Sequence, residues 1–88
     1  MEAVEAMLPL VAPDGATWGR RFIDGFSVRT DENLYYLTVI DASVRVSIMD
    51  ESEDTPFEVW SNPFELCDPE VISKIKDYLF KHSGPLYG

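Results

Sequence analysis

The sequence predicts an α+β fold: an antiparallel β-meander of four to five strands packed against a C-terminal α-helix, with a short N-terminal helix ahead of it. Three observations carry this. Residues 22–49 form β-branched and aromatic runs separated by turn residues. One of those runs alternates strictly, sending Val44, Val46 and Ile48 to one face and Arg45, Ser47 and Met49 to the other. Residues 68–85 hold an apolar stripe at helical spacing, with start and stop residues at its ends. Eighty-eight residues make a single acidic domain, 1–88. Laying one apolar helix face on one apolar sheet face is the economical way to bury a core of that size.

Taken in order, Glu2 to Leu8 places Val4, Met7 and Leu8 at helical spacing. Pro9 cannot donate a backbone hydrogen bond, so this helix is expected to be short. Pro13-Asp14-Gly15 marks a turn. Asp24-Gly25, between Phe22-Ile23 and Phe26-Ser27-Val28, reads as a two-residue type I′ hairpin turn, which needs positive φ at both positions. Further turns are expected at Thr30-Asp31-Glu32-Asn33 and at Asp41-Ala42-Ser43, bounding strands at Leu34 to Ile40 and Val44 to Met49. A shorter strand at Phe57 to Trp60 adds to these. In the last segment Asp68 is placed to cap a helix, Pro69 to occupy its first position and Glu70 to meet its positive end. Ile72, Ile75 and Leu79 form its expected buried stripe, with Val71 and Tyr78 beside it, while Lys74, Asp77 and Lys81 face water. Lys81 and His82 sit in its last turn, and Gly84-Pro85 stops it.

Seven Lys and Arg stand against sixteen Asp and Glu, a formal charge of −9. That exceeds the roughly 2–8 units that keep a small domain soluble. Such a field repels phosphate backbones and anionic lipid, which argues against direct nucleic-acid or membrane binding and for a basic protein surface as partner. The N-terminal MEAVEAMLPLVAP is acidic where a secretory signal is basic, and Cys67 is the lone cysteine, so a cytoplasmic location is expected.

No catalytic template assembles. Cys67 and His82 lie at opposite ends of the expected helix, roughly 20 Å apart at ~1.5 Å per residue, too far for a nucleophile and its base. Asp50-Glu51-Ser52-Glu53-Asp54 invites a calcium reading but lacks the loop glycine and the final carboxylate, which here is Ser61. No Cys and His spacing resembles a zinc site, the glycines form no phosphate loop, and Arg20-Arg21 is the only basic doublet. The expectation is a protein that is not an enzyme and takes no cofactor or metal.

What remains is the stretch Asp50 to Glu70, with eight acids, no Lys or Arg, and Phe57, Trp60 and Phe64 between the charges. Strict alternation sends Phe57 and Val59 to one face and Glu58 and Trp60 to the other. Trp60 is then either core or an outward anchor among carboxylates, the kind of residue that dominates interfaces. The candidate partner-binding residues are Asp50, Glu51, Glu53, Asp54, Glu58 and Trp60, with Asp31 and Glu32 on a hairpin tip as a second set. In size, acidity and lack of catalytic residues the chain is similar in kind to small inhibitors encoded by bacteriophages, such as anti-CRISPR and DNA-mimic proteins, and to toxin-neutralising immunity proteins. That likeness is compositional and assigns no residue. It implies inhibition or regulation of a basic partner by surface occlusion. The rival reading is an assembly subunit that forms a homodimer or larger oligomer through an edge strand or an apolar sheet face. Tyr35, Leu37 and Val39 lie opposite Tyr36 and Ile40, so both faces of one strand are apolar, and the second face is expected to be covered by the N-terminal segment or by another chain.

Overall fold

Turn residues cut the middle of the chain into strands, and the order of those strands in space is their order in sequence. The computed structural model describes residues 2–12, 14–22, 24–31 and 33–82; Pro13, Ile23, Glu32 and the expected helix stop at Gly84-Pro85 lie outside the described residues. The elements are α1 (Glu2–Val11), β1 (Thr17–Phe22), β2 (Gly25–Arg29), β3 (Leu34–Ile40), β4 (Ser43–Asp50), β5 (Phe57–Glu65) and α2 (Val71–Lys81). The strands form one antiparallel five-stranded sheet, β1-β2-β3-β4-β5. The α+β architecture expected from the sequence is therefore the one observed. No helix among the described residues is long and apolar enough to cross a membrane.

Both helices cover the same face of the sheet. Val4, Met7, Leu8 and Val11 of α1 and Val71, Ile75 and Leu79 of α2 join Phe26, Val28, Tyr35, Leu37, Val44, Val46 and Ile48 in a single buried cluster. On α2 the buried row is thus Val71, Ile75 and Leu79, and Ile72 is turned toward solvent, where the sequence suggested a core position. Helix α1 runs through Pro9 to Val11: the ring lies on the exposed side, while burial of Leu8 and Val11 holds the last turn, with the Ala12 N–H reaching the Leu8 carbonyl at 2.9 Å. Helix α2 begins at Val71, later than the Asp68 cap implies. Asp68 instead closes the preceding turn, its carboxylate accepting the Glu70 N–H at 2.8 Å and pairing with Lys74.

Two turns fall where expected. Ile40 pairs with Ser43 across Asp41-Ala42, and Asp41 adopts φ +52°, a left-handed conformation that aspartate tolerates. Thr30 and Asn33 close the β2–β3 turn, the Thr30 N–H bonding the Asn33 carbonyl and the Thr30 hydroxyl accepting the Asn33 N–H. The first hairpin differs by one residue. Phe22 pairs with Gly25, so Gly25 opens β2 and has no positive φ. What demands glycine there is space: a Cβ would sit 3.0 Å from the Leu37 carbonyl oxygen of β3.

Gly25→Val should therefore destabilise by about 1–3 kcal/mol, the usual scale of overpacking. Gly19→Val, on the outer strand with open space at its Cβ, should change stability by less than about 0.5 kcal/mol. Urea unfolding of the two variants checks this, and equal midpoints would remove the steric explanation.

Candidate functional site

The register places the expected binding residues at one end of the sheet. Arg29 of β2 pairs with Leu34 of β3, which pairs with Met49 of β4, so the β2–β3 turn and the β4–β5 connection are neighbours. Asp31 is exposed on the turn, and Glu53 and Asp54 are exposed on the connection; none of the three enters an ion pair among the described residues. Glu32 lies outside the described residues. Asp50 departs from expectation. It is 3% exposed on the helix-covered face, and its carboxylate accepts the Ser52 N–H at 2.7 Å, starting the connection rather than facing a partner.

Glu51 and Glu58 are already engaged. The Arg29 guanidinium donates to both Glu51 oxygens at 2.6 and 2.8 Å, a forked pair reaching across β3. Arg29 holds the Glu51 carboxyl below its ordinary range, burial opposing. Glu58 accepts the Ser47 hydroxyl at 2.7 Å and the Arg45 guanidinium at 2.8 Å; the Ser47 bond leads, ahead of Arg45, in lowering its pKa. These groups lie on the sheet face opposite the helices, where Arg21 also packs over the Tyr36 ring at 3.6 Å from its centre. Beneath them Leu34, Ser47 and Met49 are buried although no helix covers them. The second apolar face of β3 is thus not covered by α1, which packs on the other side. At its Leu34 end arginine and glutamate side chains of the same molecule roof it, while Ile40 at its other end is 47% exposed.

Trp60 lies on the helix side, because β5 does not alternate strictly. Ile48 pairs with Trp60 and Met49 with Glu58, so Val59 is an extra residue in a bulge. The bulge puts Phe57 and Trp60 on one face and Glu58 on the other, which corrects the pairing expected from alternation. Trp60 is neither core nor free anchor. It is 42% exposed, and its ring stacks on His82 with centres 4.7 Å apart. His82 in turn meets Tyr78 edge-on, and Tyr78 meets Phe64.

The structure therefore brings together Asp31, Glu53, Asp54, Trp60 and the half-exposed Phe57, withdraws Asp50 beneath the surface, and neutralises Glu51 and Glu58 with Arg29 and Arg45. Sequence reasoning missed those arginines and His82, whose partners lie 13 to 22 residues away or across the fold. Among the described residues no three His, Cys, Asp or Glu side chains gather as a metal-holding group, and Cys67 is exposed. Compared with known protein families, with characterised proteins and with solved structures, the chain matches none of them.

Burial, then the neighbouring Lys81 charge, pushes the His82 imidazole below its ordinary value of 6.5. A lowered folded pKa means the folded state favours neutral histidine. The stabilisation is complete above 6.5 and is lost as pH falls through the lowered value. The melting temperature of the natural chain should thus fall more than that of His82→Gln between about pH 7.5 and about pH 5.5. The lowered carboxylates act only at lower pH, so equal slopes for the two chains over this window would exclude His82 as the cause.

Proposed function

We propose that the protein is a non-enzymatic acidic binding protein that occludes a basic surface on a protein partner, in the manner of small phage-encoded inhibitors. The observation behind this is the convergence at one end of the sheet of three exposed carboxylates, Asp31, Glu53 and Asp54, with two half-exposed aromatic rings, Phe57 and Trp60. Carboxylates outside ion pairs keep their field, which speeds encounter with a cationic surface. Aromatic rings at 42% exposure have area left to bury, which slows departure. Where the partner's surface normally holds DNA or RNA, these carboxylates occupy the phosphate positions. Glu51 and Glu58 act indirectly in this reading, by holding Arg29 and Arg45 flat against the sheet.

The test begins with the immobilised chain, a lysate of its native host and a salt gradient, followed by kinetics on each purified protein retained. Glu53→Gln with Asp54→Asn and Asp31→Asn should slow association about tenfold at low salt and much less at high salt. Trp60→Ala should chiefly speed dissociation. Asp24→Asn with Asp41→Asn, at the opposite end of the sheet, serves as the charge control. Equal loss from the control and from the triple variant would refute a localised acidic site.

A further inference from the structure

The exterior of the helical layer carries an apolar groove that the core does not use. Ala3, Ala6 and Leu10 form a row on α1, and Ile72, Lys76 and Phe80 a row on α2. A concavity of about 200 Å³ lies between Ala3 and Ala6 on one side and Ile72 on the other. A second, of about 420 Å³, adjoins it between Ala12 and Phe80, and Leu10 lines both. Because the starts of the helices share one concavity and their later turns the other, α1 and α2 run side by side in the same direction. Leu10 is 55% exposed and Ile72 37%, with alanines beside them small enough to admit another helix closely.

Charge decides what fits. Helix α1 carries Glu2 and Glu5 and no base, whereas α2 carries all three lysines of the chain, Lys74 (paired with Asp68), Lys76 and Lys81, against the single acid Asp77. A uniformly basic helix in the groove would meet Lys76, and a uniformly acidic one would meet Asp14, since both line the larger concavity. A partner that presents an acidic and a basic helix side by side suits both charges, and a second copy of this chain has them. We infer that the helical face is a homodimer interface in which a two-fold axis along the groove lays α1 of each copy over α2 of the other. The axis joins the apolar rows at the centre and sets glutamate-bearing against lysine-bearing helices at the rims. Two helices of ten and eleven residues give a footprint at the small end of specific interfaces, so the dimer should be a weak, reversible one.

Sedimentation equilibrium over about 1–500 µM tests the inference. The natural chain should pass from monomer to dimer. Ala6→Gln, which adds neutral bulk at an exposed helix position, and Leu10→Glu should each weaken the dimer at least about tenfold, with circular dichroism unchanged. Ala6→Gln decides the matter if Leu10→Glu fails to fold. Glu2→Lys with Glu5→Lys should weaken it about fivefold by setting cations against the lysines of α2. A monomer throughout, or a dimer indifferent to Ala6→Gln and Leu10→Glu, overturns the proposal. So does a dimer tightened by the double lysine variant, because relief of net negative charge would then outweigh any pairing of α1 with α2.

Discussion

The carbonyl of His82 holds the two layers of this protein in register. It closes α2, where the last carbonyls of a helix have no partners of their own and carry the negative end of its dipole. The Asn33 side-chain amide and the Tyr35 hydroxyl both donate to it at 3.1 Å, from the sheet and from 49 and 47 residues away. Both donors are buried, at 2% and 0% exposure, so a helix seated one turn off would strand them away from water. This fixes α2 along its axis. Ile75 and Leu79 then lie over the sheet, Tyr78 meets Phe64, and His82 stacks under Trp60. The same Asn33 closes the β2–β3 turn through Thr30, so the loop bearing Asp31 is tied to the helix that supports Trp60.

How much was legible in the sequence follows from how local each determinant is. The Asp41-Ala42 turn and the bounds of β3 depend on the φ preferences of neighbouring residues, and the residues state them. Gly25 was legible as indispensable, but the reason lies in the Leu37 carbonyl of another strand. The length of β5 was not legible: its second half runs through Pro63, acceptable only because β5 is an edge strand whose outward side needs no donor. The bulge at Val59 reverses the facing of Trp60, and nothing in the alternation announces a bulge. Asp50 could have been found, since Val44, Val46 and Ile48 all point inward and the next even position is Asp50. Parity along the strand, not acidity, sets the direction of its side chain.

The charge of −9 is not spread as a coat. Three of the four arginines, Arg21, Arg29 and Arg45, lie on the open sheet face, where two glutamates and the Tyr36 ring hold them. Exposed ion pairs of this kind each contribute about 0–1 kcal/mol, too little to explain their arrangement by stability alone. Their geometric effect is larger. They close over Leu34 and Met49, which in a five-stranded sheet with helices on one side would otherwise be bare. They also leave that face nearly neutral, so the excess negative charge is concentrated in the turns at the ends of the sheet and on α1. A field with direction orients an approaching cation, which a uniform field does not.

The edges of the sheet explain where contact with another chain is and is not expected. An edge strand offers unpaired N–H and C=O groups, and β5, at nine residues, would be a long template. It is interrupted twice: the bulge at Val59 twists one half, and Pro63 removes a donor from the other. Glu58 and Glu65 add charge along it. The opposite edge, β1, has six residues, includes Gly19, and carries Arg20 and Arg21 in sequence. Both edges thus discourage strand addition, and the roofed part of the open face, from Leu34 to Met49, discourages sheet stacking there. The helical exterior has neither guard. There Leu10 and Ile72 flank a groove floored by alanine, on a surface where an acidic and a basic helix lie side by side.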